Sequence, residues 1–440
     1  MEKTMILNVK PIVRQVEFNN FKIFKYASVP LSNFHVLIGP NASGKSTFLD
    51  SFSIVNTLVS GGVGAVTDQY AEGGLHFLFH KLQGSAFELA FEFIIPKNIS
   101  DMLGKARKKK WKKPPTIARY EVSIGYNADQ EASILSEYLL LGVEGEVDEP
   151  KVRQPTLFPK PVPSPDTILI GNKPPKQRTG WYRVFKRAPD NNDVVYFFSE
   201  VTGWNIQYKV GAARSALAAL PLDPDKFPTA ISIQDFFLNS VQHIALISNL
   251  MSRPVRPGSP RTFIPDGSNL PRIVELLREE YPKEFDWWLK HVQTILPDVT
   301  NIDYKIRQDD RFSYIEVTYS NNLSLPSWSL SDGTLRILAL TLLAFMPFKG
   351  FYTLEEPENG VHPKALGGIF EALKNVYGSQ IIIATHSPIL LRLADLEDMI
   401  IFGKTSDGVG DIVRGQQHPT LLNWRKSVGI DTLFASGVLG

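Results

Sequence analysis

The stretch Gly39-Pro-Asn-Ala-Ser-Gly-Lys45-Ser46-Thr47 fits the pattern G-x-x-x-x-G-K-[ST]. Its chemistry is anion binding. Glycines let the backbone turn its N–H groups towards phosphates, and the N-terminus of a following helix adds its positive end. Lys45 can reach β- and γ-phosphates, and the Ser46 hydroxyl can ligate Mg²⁺. Gly39, Pro40, Asn41, Ala42, Ser43, Gly44, Lys45, Ser46 and Thr47 are therefore the expected phosphate-binding residues.

Three later segments carry further chemistry. Leu330-Ser331-Asp332-Gly333-Thr334 opens a helix, so Ser331, Asp332 and Gly333 stand where a second set of phosphate contacts could form. Phe351-Tyr-Thr-Leu354-Glu355-Glu356-Pro357 reads as an apolar strand ending in two carboxylates. One carboxylate at such an end, Glu355, can hold the Mg²⁺ shell, and the next, Glu356, can orient or deprotonate a water. Ile381-Ile-Ile-Ala-Thr-His386-Ser-Pro388 is a second apolar strand, ending in a histidine that can sense a γ-phosphate. Each segment alone also has a plainer reading. The glutamates could open an exposed loop, His386 could be a satisfied histidine at a strand end, and Ser-Asp-Gly is a common turn and cap.

Recognisable elements position these residues. Phe34–Ile38 is a compact apolar strand running straight into the glycine-rich stretch. The following helix carries Phe48, Phe52, Val55 and Val59 on one face, and Gly61 and Gly62 are expected to stop it. Segments 87–95, 119–126 and 133–141 read as strands of an antiparallel sheet. Proline is dense in 155–175 and 254–265, so 146–265 reads as an insertion of mixed strand and helix content, with its helical part expected at 233–251. Ser268 or Asn269 can cap a helix with Pro271 in its first turn. A second helix with Trp288 and Val292 and a hairpin turning near Asp309 follow. The last 110 or so residues alternate helix and buried strand, which predicts a parallel α/β sheet.

In order and spacing, the four motifs resemble the Walker A, signature, Walker B and switch-histidine motifs of ABC-type ATPases. Lys45 and Ser331 are separated far more widely than in transporter subunits, which resembles the RecF/SMC/OLD branch. So do Phe21-Lys-Ile-Phe24, Asp266-Gly-Ser-Asn-Leu270, Glu355-Glu-Pro-Glu-Asn-Gly-Val-His-Pro363 and Leu433-Phe-Ala-Ser-Gly-Val-Leu-Gly440. Together they look like the stand-alone AAA-type ATPases of bacterial anti-phage defence loci. The resemblance implies a two-lobed ABC/SMC-type P-loop head of the α/β class, with an antiparallel N-terminal sheet, a parallel core sheet and a central insertion. The expected division is an N-terminal lobe over 1–145, a helical or irregular arm over 146–265, and a C-terminal lobe over 266–440. It also implies ATP and Mg²⁺ as ligands, Glu356 and His386 as catalytic residues, Ser46 and Glu355 on the metal side, and Ser331–Gly333 acting on the nucleotide of a second subunit. The expected partners are a second copy of the chain, in a dimer or higher oligomer of head dimers, and a separately encoded effector such as a nuclease. Three departures stand out: Glu355 replaces the usual Asp, Asp332 replaces the Gly of transporters, and no clear Q-loop is found. Gln69 and Gln83 are the candidates for that loop, and Phe24 and Tyr26 for the adenine contact.

Composition narrows the function classes. The chain has 440 residues, 43% hydrophobic and 21% charged, as in ordinary globular proteins. With no cysteine, disulfides, thiol catalysis and cysteine-ligated metal are excluded. A net charge of +2 gives no general basic field, so DNA binding would need a local patch. The run Lys105-Ala-Arg-Lys108-Lys109-Lys110-Trp111-Lys112-Lys113 could contact phosphate backbone while Trp111 stacks on a base. It could equally be a solvated loop or a tether for an acidic partner. Arg253, Arg256 and Arg261 form a weaker candidate patch. The chain's start lacks a signal-peptide core, and its longest apolar run, 337–348, is shorter than the about 20 residues a bilayer needs. A cytoplasmic protein with no membrane partner is expected. The alternative function is DNA repair or replication maintenance of the RecF type.

Overall fold

The computed structural model describes residues 9–106, 113–147, 158–347, 349–422 and 429–437. Its centre is a six-stranded sheet in the order β10-β14-β15-β3-β16-β17. These strands are β3 (Phe34–Ile38), β10 (Val241–Ile244), β14 (Phe351–Glu355), β15 (Gln380–Ala384), β16 (Met399–Lys404) and β17 (Gly410–Arg414). All pairings are parallel except β16 with β17. A parallel sheet is covered on both faces, so its strands read as continuous apolar runs. The pleat sorts those runs between two cores. Ile382, Ala384, Ile400 and Phe402 face one layer, and Ile381, Ile383, Met399 and Ile401 face the other.

The first layer holds the helix Lys45–Tyr70, packed between the core sheet and an antiparallel sheet. Phe52 stacks on Phe351 of β14, with ring centroids 4.2 Å apart, and meets Phe91 of the antiparallel sheet edge-on at 5.2 Å. This is the one described helix long and apolar enough to cross a membrane, and 56% of its apolar window is buried inside the fold. It is accordingly a core helix. The second layer holds the helices Leu270–Glu280, Pro282–Ile295, Asp332–Leu342 and Leu366–Lys374. Beside it stands a three-stranded sheet of β11 (Val299–Ile306), β12 (Ser313–Tyr319) and β13 (Ser324–Pro326).

The antiparallel sheet has eight strands in the order β2-β1-β4-β5-β6-β7-β8-β9. They are β1 (Ile12–Phe21), β2 (Phe24–Pro30), β4 (Ala86–Ile94), β5 (Ile117–Tyr126), β6 (Ala132–Gly142), β7 (Tyr182–Ala188), β8 (Asn191–Phe198) and β9 (Asn205–Lys209). Its interior encloses charge. The Arg119 guanidinium donates to Glu17 at 3.0 Å, Glu92 at 2.9 Å and Glu121 at 2.6 Å, and all four side chains are buried. Glu121 also accepts from the Ile170 and Gly171 amides, so the 168–171 backbone is tied across the sheet.

Four sequence expectations are corrected. The described part of 146–265 does not stand apart as an arm: β7, β8 and β9 extend the antiparallel sheet, and β10 joins the edge of the core sheet. A helix over 233–251 does not form. Helix Pro228–Asp235 ends in a wide π turn, and Val241–Ile244 pairs in register with Phe351–Leu354. An open edge beside β14 outweighs the local helical spacing. Gly62 does not stop its helix but kinks it, with φ 78°, where Val63 donates its amide to the Ala213 carbonyl. Neither Ser268 nor Asn269 supplies a side-chain cap to the helix Leu270–Glu280. The Asn269 side chain instead ties its own loop, accepting from the Ile264 amide and donating to the Pro260 and Thr262 carbonyls.

Candidate active site

Three adjacent parallel strands, β14, β15 and β3, end on the same side of the core sheet. Beyond β3 runs the phosphate loop, beyond β14 the glutamate pair, and beyond β15 His386. Chain order reverses around β3, which has β15 on one side and β16 on the other. Ligands of open α/β sheets bind at the carboxyl ends of strands around such a reversal. A cavity of about 420 Å³ opens there, lined by Lys22, Ile23, Asn41, Ala42, Gly44, Lys45, Ser46, Thr47, Glu355, Glu356, Ala384 and His386.

The loop's shape follows from its residues. Ala42 (φ 58°) and Gly44 (φ 108°) both lie in the left-handed region, which turns successive amides towards one point. At Gly44 a Cβ would come within 2.4 Å of the Phe24 ring, so no side chain fits. The helix beginning at Lys45 leaves its first amides without intrahelical partners, facing the cavity. Lys45 is buried, and its ammonium donates to the Gly39 carbonyl at 2.7 Å and the Pro40 carbonyl at 3.1 Å. Burial lowers its pKa, while Glu355 and Glu356 act in the opposite sense. Ser43 is fully enclosed in the loop, and its hydroxyl has no partner among the described residues.

Glu355 and Glu356 are exposed to the cavity. The Glu356 backbone is left-handed (φ 46°), and its amide donates to the Ala384 carbonyl at 2.8 Å. Asn359 donates its side-chain amide to Glu356 Oε2 at 2.6 Å, which holds that carboxylate and leaves Oε1 for a water. Three of the nine described non-glycine residues at positive φ, Lys22, Ala42 and Glu356, line this one cavity. Strained backbone of this kind gathers at functional sites. His386 is half-buried; burial and the Lys45 charge hold its imidazole below the usual histidine range, against the pull of Glu356 and Glu358. It therefore faces the cavity as a neutral ring at neutral pH.

Donors and acceptors here suit a magnesium nucleotide. Amides, the ammonium and hydroxyls would take the phosphates, while Ser46 and Glu355 offer oxygen ligands to Mg²⁺. Among the described residues no cluster of three or more carboxylates or histidines offers a self-sufficient cage. Mg²⁺ commonly takes only one or two protein oxygens and completes its shell from phosphates and water.

Nine of the expected site residues line this cavity, Asn41, Ala42, Gly44 to Thr47, Glu355, Glu356 and His386, while Gly39, Pro40 and Ser43 belong to the same loop without lining it. Ser331, Asp332 and Gly333 do not line it. Ser331 and Asp332 are exposed at the start of helix Asp332–Leu342, where the Ser331 hydroxyl accepts from the Thr334 amide as its cap. Lys108, Lys109, Lys110, Trp111 and Lys112 lie outside the described residues. Neither Gln69 nor Gln83 lines the cavity; Gln69 accepts from the Thr57 hydroxyl within its own helix. Phe24 is fully buried against Phe18. Arg261 is engaged by Glu275, Glu279 and Glu280. His362 accepts from the Lys364 amide and caps a turn. Lys22, Ile23, Glu358 and Asn359 were not foreseen at the site. The asparagine had a signal, since it falls three residues after Glu356, the spacing of a β-turn.

Residues 12–139 match the family described as "AAA ATPase domain", and residues 175–392 match the one described as "AAA domain, putative AbiEii toxin, Type IV TA system". No curated protein matches the chain. Among solved structures, the SMC head bound to the C-winged helix domain of ScpA overlaps 92% of this chain and 98% of its own, at 14% identity and TM-score 0.48. The SMC head domain from Thermotoga maritima overlaps 92% and 98%, at 13% identity and TM-score 0.39. Strand order, the phosphate loop and the two AAA matches converge on one class. The chain is an ATP-hydrolysing enzyme of the P-loop α/β class that resembles AAA ATPases over both matched stretches.

Proposed function

We propose that this ATPase works as paired heads whose two nucleotide sites are each completed by the other subunit, and that the pairing controls a separately encoded effector in anti-phage defence. One observation carries the first part. The cavity gathers the phosphate loop, the glutamate pair and His386, yet Ser331 and Asp332 stand exposed outside it with Gly333 half-buried beside them. A helix start with an exposed serine and free amides suits a phosphate brought by another molecule. Two such faces meeting about a two-fold axis satisfy both sites at once. Within each site, Lys45 and the loop amides bind the phosphates, Ser46 and Glu355 hold Mg²⁺, Glu356 acts as general base, and His386 reads the γ-phosphate.

The defence role is supported by the AbiEii and Type IV toxin–antitoxin description of the matching family. Copurification from the native operon with mass spectrometry tests it: a small effector protein is expected, and replication or repair proteins instead would favour DNA maintenance. For the pairing, Glu356→Gln protein with ATP is expected to scatter light as a dimer or a multiple of dimers. An unchanged monomer mass with and without ATP would overturn it. DNA contact by the basic run is tested by neutralising Lys108, Lys109, Lys110 and Lys112, which should flatten the salt dependence of binding by about 0.9 per lost phosphate contact. No DNA binding by the parent at low salt would remove DNA from the scheme.

A further inference from the structure

Glu358 lies two residues beyond the general base, and its side chain points away from Glu356 to the neighbouring strand end. Its Oε1 accepts three hydrogen bonds: from the Thr385 hydroxyl at 2.5 Å, the His386 amide at 3.3 Å and the Ser387 amide at 3.1 Å. Thr385 is fully buried, so the junction is enclosed on that side. Ser387 in turn caps the next helix, Pro388–Leu393, accepting from the Leu390 amide. The imidazole of His386 makes no hydrogen bond to a described residue; its nearest aromatic neighbour, Phe434, is 6.0 Å away between centroids. The place of that ring is therefore set by its backbone. Besides Glu358, that backbone is tied by the Thr385 amide, which donates to Leu37 of β3 at 3.3 Å.

We propose that Glu358 is a positioning residue for hydrolysis: it clamps the histidine loop to the glutamate loop, so that His386 and Glu356 address one γ-phosphate in fixed relation. A carboxylate receiving two successive amides and a hydroxyl is a strong, charge-assisted junction. The same short loop holds both functional groups, Glu356 through Asn359 and His386 through Glu358. Glu358 does not line the cavity and acts through its neighbours.

The proposal rests on the assignment of Glu356 and His386 to the reaction, and the test separates the two. ATP turnover and KM are measured for Glu358→Ala, Glu358→Gln, His386→Ala and the double variant Glu358→Ala/His386→Ala, with thermal melting of each. Glu358→Ala is expected to lower kcat by about 10-fold or more with KM changed less than about 3-fold. Glu358→Gln keeps an oxygen that accepts the three bonds, and should restore most of the rate. On the His386→Ala background, Glu358→Ala should cost less than about 2-fold more, because the two act through one element. Independent, multiplicative losses, or parental kcat in Glu358→Ala, would overturn the clamp. Parental kcat in His386→Ala would instead overturn the role given to His386. If Glu358→Ala melts early, Thr385→Val removes one donor alone; it should lower kcat without raising KM, and a parental rate there would count against the clamp.

Discussion

The two large sheets treat charge in opposite ways. In the antiparallel sheet, Arg119 and its three glutamates are enclosed and satisfy one another. At the ends of the core strands, Lys45, Glu355, Glu356 and His386 face a cavity, and the ring of His386 makes no hydrogen bond to a described residue. The first arrangement is a clasp for architecture, with every donor and acceptor already engaged. The second keeps part of its hydrogen-bonding capacity available for a ligand, and its backbone takes left-handed conformations at Ala42 and Glu356 to aim it. Charge alone therefore does not mark a site; unspent hydrogen-bonding capacity at adjacent strand ends does.

Substitutions in the two sheets should separate rate from stability. Glu356→Gln is expected to slow hydrolysis by about 10²–10⁴-fold while ATP binding and melting temperature stay near parental values. Asn359 can still donate to the Gln oxygen, and the exposed side chain adds little to folding. Single-turnover ATPase and nucleotide titration check this; a parental rate would remove Glu356 from its role. Arg119→Met should do the reverse, costing about 3–5 kcal/mol in denaturant unfolding, because buried carboxylates would face one another uncompensated. The folded fraction should still bind ATP.

A finer contrast lies in Glu200, a buried carboxylate with no cationic partner among the described residues. It accepts the Thr229 and Ala230 amides at the start of helix Pro228–Asp235, and burial pushes its pKa up to about 7 from 4.5. The folded value lies above the unfolded one, so its contribution to stability is present below about pH 4.5 and is lost as pH rises through 7. Between pH 5.5 and 8 the parent should lose about 2 kcal/mol more stability than Glu200→Gln does. Equal pH dependence in the two proteins would contradict this.

The functional strands were legible because burial on both faces spells an unbroken apolar run. Ile381–Ala384 and Phe351–Leu354 needed no tertiary knowledge, and each ends in its polar residue at the expected place. The middle of the chain was not legible for the opposite reason. β9 is mostly exposed and β10 is four residues long, so neither has a period that local sequence could announce. Their strand character comes from the partner beside them. Lys22 and Glu358 were missed on the same ground: a turn between β1 and β2 brings Lys22 to the cavity, and strand adjacency brings Glu358 to the histidine loop. Sequence spacing indicates which residues end a strand but not which strand lies next to it.

Because Ser331 lies outside the cavity that holds Lys45, complementation between subunits tests the account most directly. Ser331→Arg places a bulky cation where the second subunit's phosphate contact belongs, and Lys45→Ala removes the phosphate lysine. Each protein alone should be inactive in ATP hydrolysis. In a mixed dimer, one site combines the intact phosphate loop of the first with the intact Ser331 of the second, while the other site combines both lesions. ATPase activity is expected to return on mixing, in proportion to the mixed dimers formed. Full activity of Ser331→Arg by itself, with a monomer mass unchanged by ATP, would contradict the shared site.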